Sequence, residues 1–573
     1  MNIMSWLQLP IYIGVLLILV KPLGSYMARV YQGERTFLSP VIAPIERFML
    51  KIAGVKSNVE MTWKTYALTV LLFNLVGFFF LYLLLRFQQF LPLNPQALGS
   101  ISPQLAFNTA VSFVTNTNWQ SYSGETTMSY LSQALGLSVQ NFLSAATGMA
   151  VLIALIQGLT GHSTNRLGNF WVDLIRSVLY ILLPLSIILA LLLVAQGVVQ
   201  SFQPAIISQT VDQTSGVVSQ TIPLGPAASQ IAIKQLGTNG GGFYNVNSAH
   251  PFENPTPFSN FLEMLAILLI PAALTYTFGK MVGDTRQGWA LLAAMTIILM
   301  LMISVTISAE SQGNPVFTSM SVDQSGGNME GKEVRFGVVN SSIWATVTAS
   351  SSNGSVNTML DSFSPLGGLV PMWMILLGEV VFGGVGSGLY GMLAFVVIAV
   401  FVAGLMVGRT PEYLGKKIGI HEMKMAVLIV LIPVITVLFG TAIALTSSRG
   451  TATIFNAGPQ GFSEVLYAFA SAGNNNGSAF AGLGVNTDFY NITLGIAMLF
   501  ARYALIVPIL AMAGSLAQKK IVPASSGTMP TYTLLFIGWL IGVIIIVGAL
   551  SFLPALALGP IVQQLMMGAG RLF

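Results

Sequence analysis

Cysteine is absent from this chain of 573 residues, histidine occurs three times, and Asp, Glu, Lys and Arg together make up only 8%. Without cysteine there is no disulfide scaffold. With so little charge there is no water-facing surface either. Soluble domains carry about 25% charged residues, and 24 Lys+Arg with 19 Asp+Glu cannot coat a 61.1 kDa globule. His162, His250 and His421 are scattered in loops, so a metal site is not expected. What is abundant is apolar: 54% of the residues are hydrophobic and the mean hydropathy is +0.76. That excess excludes disorder and reads as a polytopic membrane protein. The net charge of +5 is small; it is read through membrane topology, and no nucleic-acid partner is expected.

A spanning helix needs about 20 mainly apolar residues. Such runs lie near 6–20, 63–85, 138–159, 170–195, 260–278, 288–308, 423–446, 489–517 and 532–557. A further stretch, 369–408, is interrupted: the apolar pieces 369–382 and 390–408 flank Gly383-Gly384-Val385-Gly386-Ser387-Gly388. Each glycine lowers helix stability by about 1 kcal/mol, so the stretch reads as one broken span. That gives ten spans; eleven is the competing count. The apolar start lacks a basic n-region and a cleavage site, and is read as an uncleaved span. With ten spans, the loops 21–62, 160–169, 279–287, 409–422 and 518–531, with Lys64 and Lys424 at their edges, hold sixteen Lys and Arg against six on the other side. The positive-inside rule puts that set in the cytoplasm and both termini outside.

Four outer loops look alike. Each has a short, mildly apolar segment, at Leu105–Val114, Ala227–Leu236, Ser341–Ala349 and Phe462–Ala472, followed by a small polar cluster. The clusters are Thr115-Asn116-Thr117-Asn118, Thr238-Asn239-Gly240-Gly241, Ser352-Asn353-Gly354-Ser355 and Asn475-Asn476-Gly477-Ser478. Aligned on a shared asparagine, at 116, 239, 353 and 476, they stand 123, 114 and 123 residues apart. The predicted fold is therefore an all-α polytopic membrane protein of four pseudo-symmetric helix–pore-loop–helix repeats plus one extra span at each end. Residues 1–62 form the first span and a cytoplasmic loop. The repeats occupy 63–159, 170–278, 288–408 (with the broken helix) and 423–517, and 532–573 hold the last span. Bare backbone at membrane depth is tolerated where it is buried in protein or lines a water-filled path. Four such segments around one axis make a ring of carbonyl oxygens that replaces the hydration shell of a monovalent cation, potassium being the best-known case. The clusters contain no carboxylate, which disfavours a divalent-ion site.

Thr115–Thr127 (TNTNWQSYSGETT), Gly237–Gly242 (GTNGGG), Met329–Glu333 (MEGKE), Gly378–Gly388 (GEVVFGGVGSG), Gly408–Lys417 (GRTPEYLGKK) and Asn474–Gly482 (NNNGSAFAG) resemble the potassium-binding, translocating A subunit of the bacterial Kdp-type potassium-transporting ATPase. The similarity runs from about Lys21 to Val562. It implies membership of a superfamily of potassium transporters and a place in a high-affinity uptake complex of the bacterial cytoplasmic (inner) membrane. The implied partners are a P-type ATPase B subunit, a single-span C subunit and, in many members, a very small F peptide, all within membrane lipid; K+ is the transported ion and no other cofactor is implied. The resemblance places the filter on the four clusters, with Gln120 affecting affinity. Its key glycine position matches Gly240, Gly354 and Gly477, with Thr117 in the first repeat. The third cluster, Ser351–Asn357, is more polar than the family's.

Glu379 sits in the broken span just before its glycines, and Arg502 sits inside the run 489–517. A charge at bilayer centre costs about 2.5–3.5 kcal/mol on insertion scales, so each should face a partner or water. A mutual structural ion pair is one reading. In the other, which the resemblance implies, potassium leaves sideways toward the ATPase subunit. Arg502 is then a barrier or gate, and Glu379 with Gly383, Gly384, Gly386 and Gly388 shapes the exit. Asp173 with Arg176 reads as an interfacial pair, and Glu263 as a carboxylate near a helix start. Arg409, Lys416 and Lys417 offer a cytoplasmic contact for a partner, and positive-inside topology explains their charge equally well. No GxxxxGK[ST] and no Asp-Lys-Thr-Gly phosphorylation motif occurs. The chain is thus either a passive channel or carrier, or it draws free energy from another subunit. The resemblance favours the second.

Overall fold

The computed structural model describes residues 3–213, 216–408, 410–523 and 528–570. Arg409 and Arg571, two of the charges behind the expected orientation, lie outside them. Among the described residues ten helices are long and apolar enough to cross a membrane: Leu7–Tyr31, Trp63–Phe90, Ser132–Thr160, Phe170–Ala195, Pro257–Met281, Thr285–Thr318, Ser387–Val407, Ile420–Thr446, Asp488–Gln518 and Leu534–Gly568. The first overruns its expected end. Its apolar run stops at Val20, yet the helix passes through Lys21 and Pro22 to Tyr31. Lys21 and Arg29 lie on its exposed surface, where long stems carry their charges toward water.

Lipid offers no hydrophobic drive for helix association, so close packing must supply it. Small residues permit that approach. A Cβ on Gly158 would fall 2.5 Å from the carbonyl oxygen of Ala513, and one on Gly288 would fall 2.2 Å from that of Thr275. The ninth span, Asp488–Gln518, packs against the second, third and eighth spans and against two of the short helices described next.

Between the paired spans of each repeat a short helix leads into the polar cluster: Pro103–Val114, Ala227–Leu236, Gly337–Ser350 and Gly458–Gly473. At about 1.5 Å per residue, even the longest falls short of the roughly 30 Å hydrocarbon core. Each ends at its polar cluster, which continues without helix or strand.

The broken span is present with shifted limits. A helix covers Pro365–Leu376, and the next begins at Ser387. The break therefore opens before the glycine run, and Gly388 is helical. Its cause lies partly outside the glycines. Gly378, Glu379 and Phe382 already have φ of +86°, +60° and +66°, which no right-handed helix accommodates.

Candidate functional site

The four clusters meet. All twelve of their non-glycine residues are buried, and each backbone alternates in hand over three residues, Gly241 adding a further positive φ in the second repeat. Positive φ occurs at Thr238 and Gly240, at Ser352 and Gly354, at Asn475 and Gly477, and in the first repeat at Asn116 and Asn118. Backbone hydrogen bonds follow the same pattern. The N–H groups of Asn239 and Gly240 both donate to the Lys234 carbonyl, and those of Thr117 and Asn118 both donate to Ser112. Asn353 N donates to Thr348, and Asn476 N to Ser471.

The first repeat is therefore shifted by one residue from the expected alignment. Asn118 stands with Gly240, Gly354 and Gly477, and Thr117 stands with Asn239, Asn353 and Asn476. Lining up the letter Asn paired Asn116 with the wrong neighbours. Asparagine is one of the few residues with a side chain that tolerate the left-handed region, so Asn118 can stand where the other repeats use glycine.

Contacts between clusters close a cycle. A Cβ on Gly240 would fall on the Asn353 carbonyl oxygen, one on Gly354 would lie 2.2 Å from that of Asn476, and one on Gly477 would lie 2.1 Å from that of Thr117. Asn118 Nδ2 donates to Gly240 O at 3.0 Å and completes the circuit. Side-chain amides brace the same joints. Asn116 Nδ2 donates to Thr238 O (3.1 Å), Asn353 Nδ2 to Lys234 O (3.1 Å), Asn476 Nδ2 to Thr348 O (3.0 Å), and Asn475 Nδ2 to Thr117 Oγ1 (2.9 Å). Gln120 joins the first two repeats just beyond their clusters: its Oε1 accepts from Gly242 N at 2.8 Å and its Nε2 donates to Gly242 O at 3.0 Å.

The segment between the two halves of the broken span is tied to this cycle. Gly383 N donates to Ser350 O (3.1 Å), and Val385 N donates to Thr238 Oγ1 (2.9 Å). A Cβ on Gly386 would lie 2.2 Å from Gly148 O of the third span, and one on Gly384 would lie 2.4 Å from Ser387 Oγ. Glu379 Oε2 accepts from Ser387 Oγ at 2.9 Å. Its Oε1 lies 3.8 Å from Arg502 Nη2, a long ion pair. The shorter contact of Arg502 is to the first cluster: Nε donates to the Thr115 carbonyl at 2.7 Å. Nη1 reaches the Tyr390 hydroxyl at 3.4 Å. The two charges that the sequence left without partners thus share one neighbourhood, beside a mostly apolar cavity of about 40 Å³ whose polar lining includes Glu379, Ser387, Tyr390, Asn475 and Arg502. A site of roughly 10–15 Å³ suffices for one water.

Several residues that hold the clusters escaped the sequence reading. Ser144 Oγ donates to Asn116 Oδ1 (2.7 Å), and Asn118 Nδ2 donates to Asn141 Oδ1 (2.8 Å). Their signal was available: Asn141 and Ser144 sit three apart inside an apolar span, where polar side chains face the bundle interior. Three other assignments change. Arg176 pairs with Glu46 at 2.9 Å, not with Asp173, which accepts from the Tyr66 hydroxyl at 3.0 Å. Glu263 lies six residues past the helix start at Pro257 and is fully buried among hydrogen-bond donors. Lys416 turns inward, donating to the carbonyls of Gly158, Gly161 and Leu516, which leaves it no free face for a partner.

The family described as the potassium-transporting ATPase A subunit matches residues 10–565. A potassium-transporting ATPase potassium-binding subunit of Sorangium cellulosum is 64% identical over 572 residues, spanning 98% of this chain and 99% of its own. One from Methylococcus capsulatus is 61% identical over 590 residues, spanning 99% of each. Among solved structures, the potassium transporter TrkH from Vibrio parahaemolyticus has a similar fold, with a TM-score of 0.50 at 14% identity over 86% of this chain and 96% of its own.

Proposed function

Because this chain belongs to the potassium-transporting ATPase A subunit family, we propose that it is the potassium-binding and translocating subunit of an ATP-driven uptake complex. It selects K+ at the four clusters and passes the ion to a P-type ATPase subunit. The observation that carries the reading is the closed cycle of cluster contacts, from repeat to repeat and back. Carbonyl-rich backbone held in a ring by amide braces can replace water around a monovalent ion. The absence of carboxylates from the clusters fits a singly charged ion better than a divalent one.

The segment 377–386 is tied to the clusters through Gly383 N and Val385 N, and Arg502 sets a positive charge beside Thr115. Both features favour a sideways exit past Glu379 toward the ATPase subunit. The complex sits in the bacterial inner membrane with both chain termini outside, and a single-span C subunit and a small F peptide complete it.

The test uses the assembled complex. Potassium-stimulated ATP hydrolysis should accompany uptake, and rubidium or thallium soaked into crystals should scatter anomalously within the ring of residues 115–118, 238–241, 352–355 and 475–478. Rapid potassium flux through the isolated chain in liposomes would instead support the second reading, a stand-alone channel or symporter of the same superfamily.

A further inference from the structure

The four short helices end alike, except for one charge. The residues whose carbonyls receive the cluster N–H groups are Ser112, Lys234, Thr348 and Ser471. Three are small and neutral; the second repeat has a lysine with no exposed surface. Its carbonyl is heavily engaged, accepting from Asn239 N (2.9 Å), Gly240 N (3.1 Å) and, across the joint to the third repeat, Asn353 Nδ2 (3.1 Å).

The lysine's other end enters a buried polar cluster. Lys234 Nζ lies 2.5 Å from Glu253 Oε2 and 3.1 Å from Ser248 Oγ. Ser248 Oγ donates to Glu263 Oε2 at 2.6 Å, and Gln235 Nε2 donates to the same oxygen at 2.8 Å. Gln235 then turns back to the filter: its Oε1 lies 2.9 Å from Ser355 Oγ, whose single proton it shares with Asn353 Oδ1. Lys234, Gln235, Ser248, Glu253 and Glu263 are all fully buried. An unbroken chain of hydrogen bonds therefore runs from two carboxylates through Gln235 to the third cluster. The Lys234 main chain holds the second.

We propose that Gln235 and Glu263 are positioning residues that set ion discrimination. They fix the separation of the second and third clusters, and so the size of the cage that those clusters offer an ion. Each broken bond in a buried polar network strands a partner in low dielectric, which holds the bonded members in place. Glu263 orients Gln235, and Gln235 holds Ser355. Lys234 pairs with Glu253, which would otherwise stand as an unpaired buried charge, a large cost inside a protein. The inference rests on the filter reading above.

The experiment measures potassium and rubidium activation of ATP hydrolysis in the assembled complex. Glu263 Oε1 has no protein partner, so Glu263→Gln can keep the accepting oxygen at Oε2, remove the charge and place its amide N–H groups at the unpartnered position. Gln235→Leu cuts the links to both Ser355 and Glu263, and loss of the one buried hydrogen bond that reaches the cluster corresponds to about a tenfold change. Q235L should raise the half-activating potassium concentration about tenfold, and E263Q about threefold. Both should narrow the potassium-to-rubidium ratio while keeping the maximal rate. If Q235L fails to assemble, Gln235→Met, of similar length and volume, is read in the same way. An unchanged ion ratio in assembled variants overturns the proposal. So does a fall in maximal rate with unchanged half-activation, the mark of a merely structural role. Gly354→Ala separates this failure from failure of the filter reading. If G354A shifts ion activation and the network variants do not, only the positioning role falls; if G354A also changes nothing, the filter reading itself falls.

Discussion

A Cβ built on Gly477 falls 2.1 Å from the carbonyl oxygen of Thr117, 360 residues away in sequence. The contact joins the last repeat to the first, and it leaves no room for any side chain. Gly477 also has a φ of +102°, outside the region where L-residues are at ease.

Gly477→Ala should therefore disable potassium transport without unfolding the protein. The new methyl must push the Thr117 carbonyl aside, and alanine in a left-handed conformation adds roughly 1–2 kcal/mol. Together these should weaken potassium activation of the complex by well over about tenfold. Measured activation that matches wild type would mean that this joint plays no part in ion binding.

The one-residue shift of the first repeat makes a separate prediction. Asn118 holds the left-handed position there, with φ of +51°. Asn118→Gly keeps that backbone freely and loses the bonds to Gly240 O and Asn141 Oδ1; Asn118→Ala loses the same bonds and adds strain. We expect N118G to keep clearly more potassium-stimulated activity than N118A. Thr117→Gly should behave as a loss of the Thr117 Oγ1 contact with Asn475, not as a gain of a fourth filter glycine. If T117G and not N118G is the benign variant, the alignment on the shared asparagine is the correct one.

The origin of that misalignment shows what a sequence can and cannot disclose here. Ten spans and four clusters were legible because hydrocarbon thickness fixes helix length and a repeat fixes spacing. The register of Asn118 was not, because backbone hand is invisible in the letters and Asn occurs twice in the first cluster. Glu379 and Arg502 were recognisable as charges in need of company, but not the stronger tie of Arg502 to Thr115 O. The network around Lys234 was hidden for a plainer reason. Its members, Gln235, Ser248, Glu253 and Glu263, come from a short helix, a loop and a span, and only folding brings them together.

Arg502 links the inner end of the first cluster to the broken span. Its Nε donation to Thr115 O is charge-assisted and buried, a type of bond worth about 1.5–3 kcal/mol. Arg502→Lys cannot reach Thr115, Tyr390 and Glu379 together, because an ammonium lacks the planar fork. Both R502K and Arg502→Gln should uncouple potassium uptake from ATP hydrolysis, with uptake falling at least about tenfold. Transport with normal coupling in R502Q would remove the case for an electrostatic gate and leave a structural pair.

Lys416 offers a test by pH away from the four clusters, at the ends of the third and ninth spans. Its ammonium joins the ends of two spans, donating to Leu516 O at 2.6 Å and to the carbonyls of Gly158 and Gly161. Burial, reinforced by the nearby Lys519 charge, pushes its pKa down to about 8, whereas an unfolded lysine titrates near about 10.4. Between those values the unfolded chain binds more protons than the folded one, so this group's contribution to stability rises with pH across that window and is flat below it. Lys416→Met removes the titration and strands three carbonyls. We expect K416M to melt at a lower temperature than wild type at pH 7. The gap should widen steadily from pH 8 to pH 10, as wild type gains the lysine's contribution and the variant does not. A constant gap over that range would show that Lys416 titrates like an exposed lysine, and that its role is confined to closing the helix ends.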